Sequence, residues 1–214
     1  MEKNCEQHLQ QLVQRYDVLN QVKQEIWNGY RLLANSFEQG GKLLVAGNGG
    51  SASDAEHIVG ELMKGFLLSR TLDETYARKL RQIDEEMGSV LAERLQGALP
   101  AIALGAHTAL STAYSNDCDS MLCFAQQVNG YGRAEDVFFG ISTSGNSRNI
   151  LYAAVTAKAK GMKVLALTGE AESTLSGLAD VCIRVPASQT YQVQELHLPV
   201  YHTLCMMLEE HFFG

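Results

Sequence analysis

The chain is short of proline, has a single tryptophan and contains no long apolar run. Three prolines in 214 residues leave wide stretches free to form helix. No apolar segment approaches the roughly 20 residues that a bilayer span needs, so no membrane partner is expected. The opening stretch, MEKNCEQHLQQ, is polar and lacks an apolar signal core, which sets the expectation of a cytoplasmic protein. Cations are outnumbered, 17 Lys and Arg against 24 Asp and Glu, for a net charge of −7. Nucleic-acid backbones are gripped by cationic surfaces, so no nucleic-acid partner is expected either. The five cysteines, Cys5, Cys118, Cys123, Cys182 and Cys205, are odd in number and form no CxxC pair. They read as free thiols in a reducing compartment, not as a disulfide frame or a zinc ribbon. Linkers, repeats and low-complexity tracts are missing too. Residues 1–214 therefore read as one domain, long enough to bury a core without staples.

What is present centres on Lys42–Met63, KLLVAGNGGSASDAEHIVGELM. Leu43–Ala46 is a short apolar run suited to a buried strand. Gly47, Asn48, Gly49, Gly50 and Ser51 then make a glycine-rich turn into a helical pattern. Strand, glycine turn and helix together offer backbone N–H groups to an anion. The helical part carries His57 and Glu61, four residues apart and hence on one face. Further strands are expected at Ala101–Leu104, Val137–Ile141, Lys163–Leu167 and Val181–Val185, with helices between, notably 149–160 and 173–178. Alternating short apolar strands and helices predict a parallel sheet of about five strands covered on both faces. Before the first strand, Leu9, Leu12, Val13 and Tyr16, then Val22, Ile26, Tyr30, Leu33 and Phe37, fall at helical spacing and predict a helical hairpin over 1–40. Residues 67–97 read as one amphipathic helix, and a last helix runs from about Gln192 to Phe212.

A second loop resembles the first in purpose. Ser142, Thr143, Ser144, Gly145, Asn146 and Ser147 follow the VFFGI strand and precede a helix. Hydroxyls and free N–H groups at a helix start suit a phosphate monoester where no cationic cluster is at hand. Neither loop has the GK[ST] ending of a Walker motif or the GxGxxG dinucleotide fingerprint. Two ordinary capped turns are the plainer alternative. His197 is five residues from His202 and is assigned to structure. Asp54 and Glu56 read as surface acids complementing a helix dipole.

Taken together, GNGGSASDAEH, GISTSGNS and QELHLPVYH resemble the motifs of the sugar isomerase (SIS) domain family, and within it the phosphoheptose isomerase branch. The resemblance spans nearly the whole chain. It implies a three-layer αβα sandwich of flavodoxin-like type around a five-stranded parallel sheet, assembled as a homotetramer with sites at subunit interfaces. It implies a ketose–aldose isomerase acting on sedoheptulose 7-phosphate to give glycero-manno-heptose 7-phosphate through an enediolate, with zinc as cofactor. By the same resemblance, Ser142, Thr143, Ser144 and Ser147 hold the phosphate, and Asn48, Gly49, Gly50 and Ser51 line the sugar site with Asn116, Asp117, Glu61 and Gln194. The implied zinc ligands are His57, Glu61, Gln194 and His202, with Glu61 and His202 also catalytic. A His and a carboxylate at i and i+4 form a usual two-ligand face.

Gln194 and His202 lie eight residues apart, about 12 Å along one straight helix, whereas zinc ligands sit ~2 Å from the metal. Either a kink at Pro199 or service to different sites across an interface follows, and the second is expected. Two features depart from the branch. Residues 67–97 form an insertion, and Tyr191 stands where the branch often has Asp. Both lie near the expected sugar site, so an isomerase for another ketose phosphate, or a non-catalytic phosphosugar-binding or adaptor module, remain as alternatives.

Overall fold

Five apolar runs lie side by side, all parallel, in the order β2–β1–β3–β4–β5. In the computed structural model, which describes residues 2–214 and only the backbone of residues 2 and 3, they are β1 (Leu43–Ala46), β2 (Ala101–Ala103), β3 (Val137–Ile141), β4 (Lys163–Thr168) and β5 (Val181–Arg184). Every residue of β1 and β3 is buried, as a sheet covered on both faces requires. Alternation along each strand divides the core. Val45, Phe139, Leu165 and Ile183 face one layer, and Leu44, Phe138, Val164 and Ala166 face the other. Asp136 fixes where the central strands begin. Its carboxylate accepts from the Lys42 amide at 2.9 Å, the Lys42 ammonium at 2.6 Å and the Arg133 amide at 2.8 Å.

The helices are α1 (Glu2–Arg15), α2 (Lys23–Glu38), α3 (Gly50–Met63), α4 (Glu74–Ile83), α5 (Glu85–Arg94), α6 (Thr108–Asp117), α7 (Cys123–Tyr131), α8 (Arg148–Ala159), α9 (Thr174–Leu178) and α10 (Thr190–Phe213). Helices α1, α2, α3 and α10 cover one face of the sheet, while α7, α8 and α9 cover the other. The result is the expected three-layer sandwich. The α1–α2 pair is held within the chain, because Cys5, Leu9 and Leu12 bury against the layer that contains Leu204 and Leu208.

Two expectations are corrected. The 67–97 segment is two helices, not one, because Asp84 turns extended and its carboxylate accepts from the Met87 amide at 2.7 Å, capping α5. A cap satisfies the free N–H groups of a new helix start. Helices α4 and α5 then fold on each other at Gly88, where any Cβ would collide with the Leu80 backbone. Ile83, Met87, Val90 and Leu91 remain exposed on this arm. The other correction is Asp54, which is half-buried rather than a surface acid. Helices α6 and α7 were not anticipated, and α6 has no buried residue to give it an apolar period.

The arm is rooted in a buried ion pair. Arg70 is 1% exposed and Glu209 equally so, with Nε 2.7 Å from Oε1. Arg70 also donates to the carbonyls of Leu62 at 2.7 Å and Glu61 at 2.9 Å, the end of α3. Glu209 accepts from the amides of Phe66, Leu67 and Leu68 at 2.7, 2.7 and 3.1 Å. Burial by itself would raise the Glu209 pKa, but the Phe66 and Leu67 amides and Arg70 outweigh it and hold the carboxyl below its usual range. His197 on α10 has no such compensation. It is fully enclosed, and burial pushes its pKa down to about 4 against a weaker upward pull from the Thr168 backbone.

Glu209→Gln removes the charge and leaves Arg70 buried without a counter-ion, so urea unfolding should show a loss of about 3–5 kcal/mol. His197 should make the fold acid-sensitive. An imidazole held neutral in the fold but protonated when unfolded contributes stability above its ordinary pKa of 6.5 that is lost as pH falls toward about 4. The loss specific to wild type, relative to His197→Leu, should approach about 3 kcal/mol across that window by denaturant titration.

Candidate active site

Strand β1 leads through α3, on one face of the sheet, to β2, while β3 leads through α8, on the opposite face, to β4. Between β1 and β3 the winding reverses, and open parallel sheets bind ligands in the crevice beyond that point. Both polar loops lie there. Gly49, at φ 57°, precedes the first turn of α3, a conformation that costs glycine little. Ser51 is buried, and Gly47 packs directly on its backbone. In the other loop, Gly145 at φ 64° turns the chain so that its amide donates to the Ser142 carbonyl at 3.0 Å. Ser147 precedes α8 but makes no side-chain cap. Its hydroxyl instead meets that of Ser142 at 3.0 Å. Ser144 is exposed and Thr143 partly so. These hydroxyls cluster at a helix start, where an anion is favoured. The two loops are joined by Asn48 and Asn149, whose side-chain amides exchange hydrogen bonds at 3.0 and 2.8 Å.

Helices α3 and α10 run alongside each other in the same direction. Gln194 lies against Gly50, so closely that a Cβ on Gly50 would fall 2.5 Å from its amide nitrogen. Seven residues further along each helix, His57 Nδ1 meets the Tyr201 hydroxyl at 3.0 Å. Tyr201 in turn donates to Asp54 Oδ1 at 3.2 Å. His57 Nε2 is 3.2 Å from Glu61 Oε1, and Lys64 Nζ donates to Glu61 Oε2 at 3.0 Å. The His202 ring stands edge-on to His57, centroids 4.8 Å apart, and also touches Phe66. A cavity of about 270 Å³ opens beside His202, lined by Arg15, Tyr16, Phe66, Pro199 and Thr203 among others.

Electrostatics follow from this packing. Burial lowers the His202 pKa, the neighbouring His57 adds to the effect and Glu61 opposes it. Burial raises the Asp54 pKa, against the Tyr201 hydrogen bond and the His57 charge. The Tyr201 phenol is raised, first by burial and then by Asp54 beside it. It stays a neutral hydrogen-bonding group at physiological pH.

Of the residues expected to gather, His57, Glu61 and His202 do so within one chain. Gln194 does not: it sits two helical turns from His57, roughly 10 Å at 1.5 Å per residue, at the level of the glycine loop. Helix α10 is continuous through Pro199. Asn116 and Asp117 end α6, with the Asn116 amide bonded to Asp117 at 2.9 Å. Asn149, Tyr201, Asp54 and Lys64 were not anticipated as partners in the site. Among the described residues no three His, Cys, Asp or Glu side chains already stand at metal-binding separation. The donor chemistry nevertheless suits a divalent ion, with two imidazoles and a carboxylate. His202 Nε2 is buried with no hydrogen-bond partner among the described residues, an orphan that a metal would satisfy.

Comparison with known proteins bears on the family of the chain. A family model for the SIS domain matches residues 7–103 and 85–169. The chain is 37% identical over 194 residues to the phosphoheptose isomerase of Helicobacter pylori, covering 91% of this chain and 88% of that protein. It is 36% identical over 203 residues to that of Thiobacillus denitrificans, with 94% and 90% covered. Among solved structures, a phosphoheptose isomerase from Francisella tularensis superposes with a TM-score of 0.75 at 29% identity, covering 97% of both chains.

Proposed function

The chain belongs to the SIS-domain family, and we propose that it is a sugar-phosphate isomerase interconverting sedoheptulose 7-phosphate and its aldose, glycero-manno-heptose 7-phosphate. The observation that carries this reading is the meeting of His57, Glu61 and His202 beneath two joined hydroxyl- and glycine-rich loops. A purely phosphosugar-binding module has no use for the lower group.

The phosphate is assigned to Ser142, Thr143, Ser144 and Ser147 with the start of α8. Asn48, Gly49, Gly50 and Ser51 face the sugar, joined by Asn116 and Asp117. Isomerisation moves a proton from C1 to C2 of the ketose and another from O1 to O2, through an enediolate. Glu61 is the base that removes the carbon-bound proton and returns it to the neighbouring carbon. Its two oxygens have different company, His57 on one and Lys64 on the other. His202, kept neutral by burial, is suited to passing the proton between the substrate oxygens. His57, Glu61 and His202 would hold zinc, which as a Lewis acid polarises the substrate carbonyl when bound.

We place the protein in the cytoplasm as a homotetramer. Supporting this are the wholly unburied α6, the exposed apolar residues of α4 and α5, and the absence of any helix long and apolar enough to cross a membrane among the described residues. Gln194 is too far along α10 to join the metal ligands of its own chain, so we assign it as a ligand to the site of a second copy.

Purified protein should isomerise sedoheptulose 7-phosphate and lose activity on chelation. Glu61→Gln and His202→Ala should each cut kcat by about 10²–10⁴ while circular dichroism is unchanged, whereas Ser144→Ala should chiefly raise KM. Near-normal turnover in either of the first two variants would remove the catalytic assignment. Mixed oligomers of Gln194→Ala and Glu61→Ala chains should regain activity that neither has alone, and no regain would mean that each site is built from one chain.

A further inference from the structure

Between α3 and α10 runs an unbroken line of hydrogen-bonding groups, Asp54, Tyr201, His57, Glu61 and Lys64. A phenol carries one proton. A carboxylate can only accept, so the Tyr201 proton is committed to Asp54 Oδ1, 3.2 Å away. Tyr201 oxygen is then the acceptor for His57, whose Nδ1 is 3.0 Å distant and must supply the hydrogen. The opposite arrangement would set the phenol oxygen and the Asp54 carboxylate against each other as two lone-pair acceptors. With its proton on Nδ1, neutral His57 presents a bare lone pair at Nε2, on the side of Glu61 Oε1 at 3.2 Å. Two such acceptors at that distance ask for a cation between them. A partner on one ring nitrogen deciding what the other does is the usual means of orienting a metal-binding imidazole.

We propose that Tyr201 and Asp54 are positioning residues that lock His57 in its Nδ1–H tautomer and so keep Nε2 open to a divalent metal ion. The claim rests on the metal-holding role given to His57 above, and it adds two side chains that touch neither substrate nor metal. Tyr201 is almost fully buried and packs edge-on against both His57 and His202. The same ring thus props both imidazoles while its hydroxyl chooses the tautomer of one.

Because the relay has a direction, it can be reversed. An amide at position 54 donates through its nitrogen to the Tyr201 oxygen, the phenol then donates to His57 Nδ1, and the imidazole proton is driven to Nε2, where it faces Glu61. Nitrogen-15 NMR of the metal-free protein, at a pH well above the ordinary imidazole range, reads the tautomer without substrate or zinc. Wild type should show His57 with the proton on Nδ1, Asp54→Asn with the proton on Nε2, and Tyr201→Phe a mixture. Zinc titration should then give a Kd about 10–100-fold weaker for both variants. A His57 tautomer that is the same in wild type and Tyr201→Phe overturns the proposal, as does unchanged zinc affinity in that variant, which keeps the buried ring if Asp54→Asn fails to fold. The functional reading stands or falls separately. Protein that shows the tautomer pattern but isomerises no ketose phosphate would keep the relay and lose the enzyme.

Discussion

The Arg70–Glu209 pair sets the register on which the site depends. Glu209 is on α10, Arg70 lies beyond α3, and the guanidinium closes on the last carbonyls of α3 while its partner gathers three loop amides. Helices α3 and α10 come from opposite ends of the sequence, and only their relative height decides what His57 and Glu61 meet. A slip of one turn, about 5.4 Å, would bring neither Tyr201 nor His202 to His57. Ridges-into-grooves packing alone allows such slips at modest cost. A buried charge pair that loses its partner does not, because uncompensated charge in an apolar interior costs several kcal/mol. Breaking the pair should therefore misalign the site as well as weaken the fold.

The arm of α4 and α5 is tied into the same lock. Its base is the loop that Glu209 holds, and Arg70 is the hub, with its guanidinium stacked on the Phe213 ring at 4.7 Å. The arm leaves the body from a fixed root, and its two helices pack on each other at Gly88. The arm enters and leaves the body at one junction, where the Gly97 amide donates to the Arg70 carbonyl at 2.8 Å. The side chain that caps α3 is the one that anchors the arm, so the helix carrying His57 and Glu61 ends at the same point whatever α4 and α5 touch.

The sheet was largely legible in the sequence because β1, β3 and most of β4 are continuous apolar runs buried on both faces, which permits little else. The loops after β1 and β3 were legible for a related reason, since glycine and hydroxyl residues at strand ends carry their chemistry locally. Helix α6 was not, because Thr108–Asp117 buries nothing and so shows no period. The break at Asp84 hid inside a pattern whose apolar spacing continues across it. Most of what surrounds His57 was hidden as well. Asp54 looks like any acid near a helix start, and Tyr201 like any aromatic in a core. Only the pairing of α3 with α10, 144 positions apart in sequence at the His57–Tyr201 contact, turns them into neighbours.

That pairing also bears on the length of the substrate. The glycine loop and Gln194 mark one level of the two helices, and His57 with Tyr201 marks another about two turns away, or ~10 Å. In the proposed reading the anion sits at the hydroxyl loop, and the reacting carbonyl must extend from there toward the imidazoles. In that reading the anion needs no cationic clamp, because N–H groups and hydroxyls at the loop would hold it, and the charged groups would serve the far end of the substrate.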